Sequence, residues 1–287
     1  MKPTNLKTKI FLDSGDPTET KELLEIMDDF EGQTTNPSLF AKNPAVKARI
    51  ETGDKYTKEE VYEAYKDIVV QISELLPKGS VSVEVYADHN TDVEEVLSQA
   101  REMNSWIPNA HIKLPLTKNC LEAAEVLIKE GVRLNITLVF SQQQAAAIYS
   151  ATKGATKGQV YLSPFIGRLG DRGEDGMSYI ANVLQMYKAG DGHVEVLSAS
   201  IRNYDHLLEC FKLESDIVTV PGKILREWVE KDFYVPDEAW QYDGGELKQL
   251  PYEEIDLNKD WQEYDIQHDL TDSGIEKFVA DWDSLVQ

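Results

Sequence analysis

Eight short runs of strand-forming character recur between residues 7 and 221, separated by longer stretches whose apolar residues return with helical period. The runs are KTKIFLDS (7 to 14), GQTTNPS (32 to 38), SVSVEVYA (80 to 87), HIKLPLT (111 to 117), RLNITLVF (133 to 140), QVYLSPFIG (159 to 167), HVEVLSASI (193 to 201) and SDIVTVP (215 to 221). A strand that is followed by a helix and then by another strand of the same sheet is returned to the same end, so the sheet is parallel. Eight such units predict an α/β fold, a single (β/α)8 barrel of the TIM type over residues 1 to 231. The main competitor is an open doubly wound sheet. The turn after the first run, LDSGDPTE, lacks the glycine-rich dinucleotide fingerprint that such a sheet often carries there.

The helical stretches carry start and stop signals. TKELLEIMDDF places Leu23, Leu24, Met27 and Phe30 on one face, with Gly32 as its stop. Thr117 precedes KNCLEAAEVLIKE, which should end at Gly131. Ser141 with Gln144, and Thr91 with Glu94, have the spacing of capping boxes.

Charge narrows the function. Lys and Arg number 29 against 51 Asp and Glu, a formal charge of −22, which repels a nucleic-acid backbone. No apolar run reaches the roughly 18 residues of a membrane span, and MKPTNLKTKIFLDSGD lacks the apolar stretch of a secretory signal, so a cytoplasmic protein without membrane or nucleic-acid partners is expected. Cys120 and Cys210 sit in helical apolar segments that suit buried reduced thiols. Residues 232 to 287 hold 16 acidic and three basic side chains and read as a separate acidic extension, closing in a helix.

The active site of a β/α barrel lies at the C-terminal ends of its strands, and polar residues there are the candidates. Lys113 stands between Ile112 and Leu114 in a strand that parallel packing buries on both faces. Burial disfavours an ammonium and favours the neutral, nucleophilic amine that an imine-forming lysine needs. The plainer alternative is a lysine whose head escapes to solvent or pairs with a carboxylate. Asp13 and Glu84 end other strands, either to relay protons or to neutralise Lys113. Asn135 and Thr137 share a strand face and suit a hydroxyl or a water, or form an ordinary polar layer. Ser163 with Arg168, and Ser200 with Arg202, resemble two halves of an anion clamp at adjacent strand ends, in the region where this fold often binds phosphate. The five histidines show neither i, i+4 pairing nor HExxH, so no metal site is legible.

Taken together, these motifs resemble the transaldolase family. LDS with Asp13, TTNPSL (34 to 39), SVEV with Glu84, IKLPLT with Lys113, NITLVFS (135 to 141), SPFIGR (163 to 168) and SASIRN (198 to 203) stand in family order between residues 11 and 226. The resemblance implies a β/α barrel whose fourth-strand lysine forms a Schiff base with a ketose phosphate, without metal or organic cofactor. It makes Lys113 the nucleophile and Asp13 the acid/base at the C4 hydroxyl, with Glu84 and Thr137 holding a proton-shuttling water. Thr35, Asn36, Asn135 and Ser163 would bind the dihydroxyacetone fragment, and Arg168, Ser200 and Arg202 the phosphate. Glu84 and Phe165 are similar to the transaldolase pattern, whereas aldolase members carry Gln and Tyr there. The alternatives are a fructose-6-phosphate aldolase and a sugar-phosphate-binding barrel without turnover.

The C-terminus departs from the family. LTDSGIEKFVADWDSLVQ resembles the terminal helix of the shorter members, which form rings, but about 35 residues (232 to 266) are inserted before it. A homo-oligomer is therefore expected without a set subunit count. Ile275, Phe278, Val279 and Trp282 recur at helical spacing, so this helix needs an apolar groove on the barrel or, as expected here, on a neighbouring subunit.

Overall fold

The computed structural model describes residues 2–4 and 6–287. Its strands are β1 (Lys9–Asp13), β2 (Gly32–Thr34), β3 (Ser80–Glu84), β4 (Ala110–Pro115), β5 (Leu134–Val139), β6 (Val160–Pro164), β7 (Glu174–Asp175), β8 (Val194–Ser198), β9 (Ile217–Val220) and β10 (Lys248–Gln249). β1 to β6, β8 and β9 pair in parallel and in chain order, and β9 closes on β1, so the fold is the eight-stranded β/α barrel. Seven of the eight expected runs contain one of these strands, and the run from 111 to 117 overlaps β4, which begins one residue earlier. β7 and β10 form a separate two-stranded ribbon outside the barrel.

Local chemistry sets the helix ends, three times in ways that differ from expectation. Thr117 accepts from Cys120 N at 3.1 Å, and Ser141 from Gln144 N at 3.1 Å. Gln144 completes no box, because its Oε1 takes Phe140 N at 2.7 Å and its amide reaches Ile266 and Thr271. The helix Val93–Asn104 is capped by Asp92, not Thr91; the Thr91 hydroxyl is engaged by Asp88 on the turn before it. The first helix, Pro17–Met27, stops at Asp28, which adopts φ 70° and returns its N–H to Leu24 O. Gly32 is a residue of β2, where a Cβ would fall 2.4 Å from Ser80 O, so its role is close strand approach.

Cys120 and Cys210 are buried free thiols, both pushed up to about 12 by desolvation. Among the described residues no helix is long and apolar enough to cross a membrane.

The acidic extension is a strap. Its backbone is held by side chains of barrel helices: Leu250 N by Ser178 Oγ, Leu250 O by Asn182, Glu253 N and O by Gln142, and Lys259 O by Ser150. Leu257, Trp261 and Tyr264 are buried along it. The strap delivers the terminal helix, Asp269–Asp283, to this chain's own barrel mouth. There Thr271 Oγ1 donates to Leu138 O at 2.8 Å, at the point where β5 bulges and Leu138 has φ 62°. Trp282 packs on Phe40, Tyr62 and Tyr65 at centroid distances of 5.5 to 5.8 Å. The apolar face that was expected to seek a neighbouring subunit is thus covered within the chain.

Candidate active site

The strand register brings the polar residues of different motifs side by side. Glu84 lies opposite Lys113, Lys113 opposite Asn135, and Thr137 opposite Ser163. Their side chains meet at the C-terminal mouth, beneath a cavity of about 460 Å³. Asp13, Asn36, Lys113, Ser163, Phe165, Arg168, Ser200 and Arg202 line that cavity.

Lys113 forms the floor and is 2% exposed. Its Nζ stands 3.0 Å from Glu84 Oε2 and 3.5 Å from Thr35 O, with the Phe165 and Phe278 ring centroids each 5.7 Å away. Glu84 is 2% exposed; its backbone N–H donates to Tyr65 Oη at 3.0 Å. Burial is the largest influence on its carboxyl and pushes it up to about 7 against the pull of Lys113. Glu84 Oε2 thus faces the Lys113 ammonium in a buried ion pair. Thr137 Oγ1 is buried without a partner. A buried hydroxyl without a partner is a natural place for a small polar molecule.

Asp13 is also raised by burial, opposed by Lys113 and by the Thr34 hydroxyl, which donates to Asp13 at 2.7 Å. Below it, Ser163 Oγ donates to Asn135 Oδ1 at 2.6 Å, and Asn135 Nδ2 to Ser82 Oγ at 3.0 Å. Asn135 is therefore a fully buried support for Ser163. Asn36 accepts from Leu39 N at 2.8 Å to cap a short helix, so its amide N–H groups are what it has to offer the cavity.

At the rim, Arg168 is half-buried and, among the described residues, forms no ion pair; its guanidinium lies 5.5 and 5.7 Å from the Phe165 and Phe278 centroids. Burial and the neighbouring Arg202 both press it below the ordinary arginine value. Arg202 is more open and pairs with Asp171 at 2.9 Å. Ser200 holds φ 62°, a strained conformation for a non-glycine residue, of the kind that clusters at ligand sites. In a chain of charge −22, Lys42, Lys113, Arg168, Arg202 and Lys277 line this cavity with Asp13 and Asp171, while Glu84 and Asp281 stand behind Lys113 and Lys277. The local field therefore attracts anions despite the net charge.

Two of the substrate-binding candidates stay out of the cavity lining, Asn135 as the buried support of Ser163 and Thr35 for a different reason. Thr35 does not line the cavity: its Oγ1 bonds Tyr65 Oη at 2.6 Å and Ser82 O at 2.8 Å. Thr34, one residue earlier and on the opposite strand face, lines it instead, with Thr219 at 2.5 Å. Alternation along the run is the signal that picks out Thr34. Phe278 and Lys277 also line the mouth. Their helical period marks them only as helix residues, since nothing local says where the helix docks.

The arrangement can hold a carbonyl against a buried amine, move protons through two carboxyls, bind several hydroxyls and clamp an anion. One direct physical consequence concerns stability. The folded chain keeps the Glu84 proton up to about pH 7, whereas an unfolded glutamate releases it near the ordinary 4.5. Stability from this group is thus present below 4.5 and lost as pH rises through 7. Urea unfolding at pH 5 and pH 7.5 should show a larger loss for the wild type than for Glu84→Gln. Equal losses would show that Glu84 titrates normally.

Known proteins resemble this chain over nearly its whole length. The family model described as Transaldolase/Fructose-6-phosphate aldolase matches residues 10–287. A probable transaldolase of Dehalococcoides mccartyi is 36% identical over 277 residues, covering 96% of this chain and 99% of the relative. A probable transaldolase of Methanococcus maripaludis is 34% identical over 278 residues, with 96% and 98% covered. A third, from Herpetosiphon aurantiacus, is 32% identical over 277 residues, with 96% of each chain covered.

Proposed function

The chain belongs to the transaldolase/fructose-6-phosphate aldolase family, and on that premise we propose that it is a transaldolase, moving a dihydroxyacetone unit between sugar phosphates through a Schiff base on Lys113. The observation that carries this reading is the buried Lys113–Glu84 pair, 3.0 Å apart on the floor of a cavity rimmed by two arginines. A site that only binds sugar phosphate has no need of a sealed amine beside a carboxyl, and burying such a pair is costly.

The Lys113 amine adds to the C2 carbonyl of a ketose phosphate, and loss of water gives the imine. Glu84, pushed to about 7, is suited to giving and taking protons at neutral pH. A water held between Glu84 and Thr137 would give the buried Thr137 Oγ1 the partner it lacks. Asp13, made more basic by burial, takes the C4 hydroxyl proton as the C3–C4 bond breaks. The imine accepts the electron pair and becomes an enamine, so no metal or organic cofactor is required. The first aldose phosphate leaves, and the enamine adds to a second. Asn36 and Ser163, the latter braced by Asn135, suit the fragment's hydroxyls; Arg168, Ser200 and Arg202 suit the phosphate. Sedoheptulose 7-phosphate with glyceraldehyde 3-phosphate, giving erythrose 4-phosphate and fructose 6-phosphate, is the proposed exchange. It belongs to the cytoplasmic pentose phosphate pathway, carried out by a homo-oligomer.

Phe165 favours transfer over aldolase-type release. Its ring, 5.7 Å from Lys113 Nζ, has no hydroxyl with which to protonate the enamine. With fructose 6-phosphate as donor, turnover with erythrose 4-phosphate should exceed release of free dihydroxyacetone by at least about tenfold, which asks for roughly 1.4 kcal/mol between the barriers. Phe165→Tyr should shift the balance toward release. Equal rates with and without acceptor would replace this reading with the aldolase one.

A further inference from the structure

Phe278 belongs to the terminal helix, far from the barrel strands in sequence, yet it reaches the reacting amine. It lies between two spaces. On one side it lines the mouth cavity; on the other it lines a crevice of about 10 Å³, room for about one water molecule, whose wall includes Glu84. The rest of that crevice is mostly apolar, with Ile275, Val279, Pro37 and Pro115 among its walls, and Tyr86 also lines it. Phe278 thus stands between that crevice and the open mouth.

Its position is firmly held. The ring is 6% exposed and meets Phe165 edge-on at 6.5 Å, so two phenyl rings face both Lys113 and Arg168. The helix comes close because Gly274 has no side chain: a Cβ there would fall 2.6 Å from Arg168 Nη1 and 2.8 Å from Leu138. Thr271 and Trp282 fix it on either side. Ile275, one turn earlier, is also apolar and buried, whereas Lys277 beside the ring reaches the mouth and pairs with Asp281 at 3.0 Å.

We propose that Phe278 is a specificity-determining residue, the second wall with Phe165 that keeps proton donors from the Lys113-bound enamine and so favours transfer over release. The inference rests on the Schiff-base reading above. Release requires the enamine carbon to take a proton, giving the iminium. Water then adds to C2 and gives up a proton, and the C–N bond breaks to yield free dihydroxyacetone and the Lys113 amine. One water is consumed overall. The protonation at carbon is the step that an apolar wall slows, whereas attack on an incoming aldehyde needs no proton at that carbon.

The test measures, for each variant, the ratio of dihydroxyacetone release without acceptor to transfer with acceptor, alongside borohydride trapping at Lys113. Phe278→Ala and Phe278→Tyr should raise the ratio about tenfold while trapping persists, and Phe278→Leu should stay near wild type. Phe278→Tyr keeps the ring and adds only a hydroxyl, so it serves where the truncation fails to fold. An unchanged ratio in Phe278→Tyr, with trapping intact, would overturn the proposal. Failure to trap Lys113 in the wild type removes the Schiff-base reading itself, and this inference with it.

Discussion

Reduction with borohydride in the presence of fructose 6-phosphate is expected to add the mass of the reduced substrate unit to the peptide that carries Lys113, and Lys113→Met is expected to show neither the adduct nor turnover. Only an imine becomes a stable secondary amine on reduction, so the adduct identifies the bond as well as the residue. Lys113 is the lysine that is sealed on the cavity floor; Lys42 and Lys277, which also line the mouth, are exposed at its rim. The loss in kcat should be on the order of 10⁴ or more, equivalent to about 5.5 kcal/mol, since no other amine stands where the carbonyl must be attacked. Met fills the space of the lysine stem without its charge, which leaves Glu84 unpaired but free to protonate. Mass added to the same peptide in Lys113→Met, or to another lysine in the wild type, would end the assignment.

The barrel and most of this site are legible in the sequence because both follow from alternation. Inward residues of parallel strands recur every second position, and the register then sets Glu84, Lys113 and Asn135 side by side. Thr35 fails for a related reason. β2 ends at Thr34, and the next residue turns outward to Tyr65, so the hydroxyl nearer to the Asn-Pro break is the wrong one. The cap at Asp92 fails because two adjacent capping residues, Thr91 and Asp92, compete, and Asp88 engages the first. Gly32 misleads because glycine answers both to helix ends and to close strand packing; here Asp28 takes the left-handed turn.

The place of the terminal helix is the part that no local pattern carries. Its route depends on side chains of distant helices that bind the backbone of the strap, such as Gln142 on Glu253 and Ser150 on Lys259. Those contacts pair residues more than 100 positions apart. The same route explains why Phe278 and Lys277 at the mouth escape a reading of strand ends. An amphipathic helix announces an apolar face but not the surface that receives it.

Arg168→Ala is expected to raise KM for fructose 6-phosphate far more than Arg202→Ala does, although the two arginines look equivalent in sequence. Arg168 is half-buried against Phe165 and Phe278 and has no carboxylate partner among the described residues, so an incoming phosphate would be its first anion. Loss of a desolvated charge-assisted contact of this kind is worth about 2 to 5 kcal/mol. Arg202 already shares its charge with Asp171, and solvent screens it, so its loss belongs at or below the bottom of that range. Arg202→Ala also releases Asp171 at the rim, which adds a repulsive carboxylate that raising the salt concentration should partly screen. The control is an unphosphorylated donor such as dihydroxyacetone, whose kcat/KM should change little in either variant. If phosphorylated and unphosphorylated donors lose equally in Arg168→Ala, the guanidinium supports the two phenyl rings and the terminal helix rather than the ligand, and the phosphate must be held elsewhere on the rim.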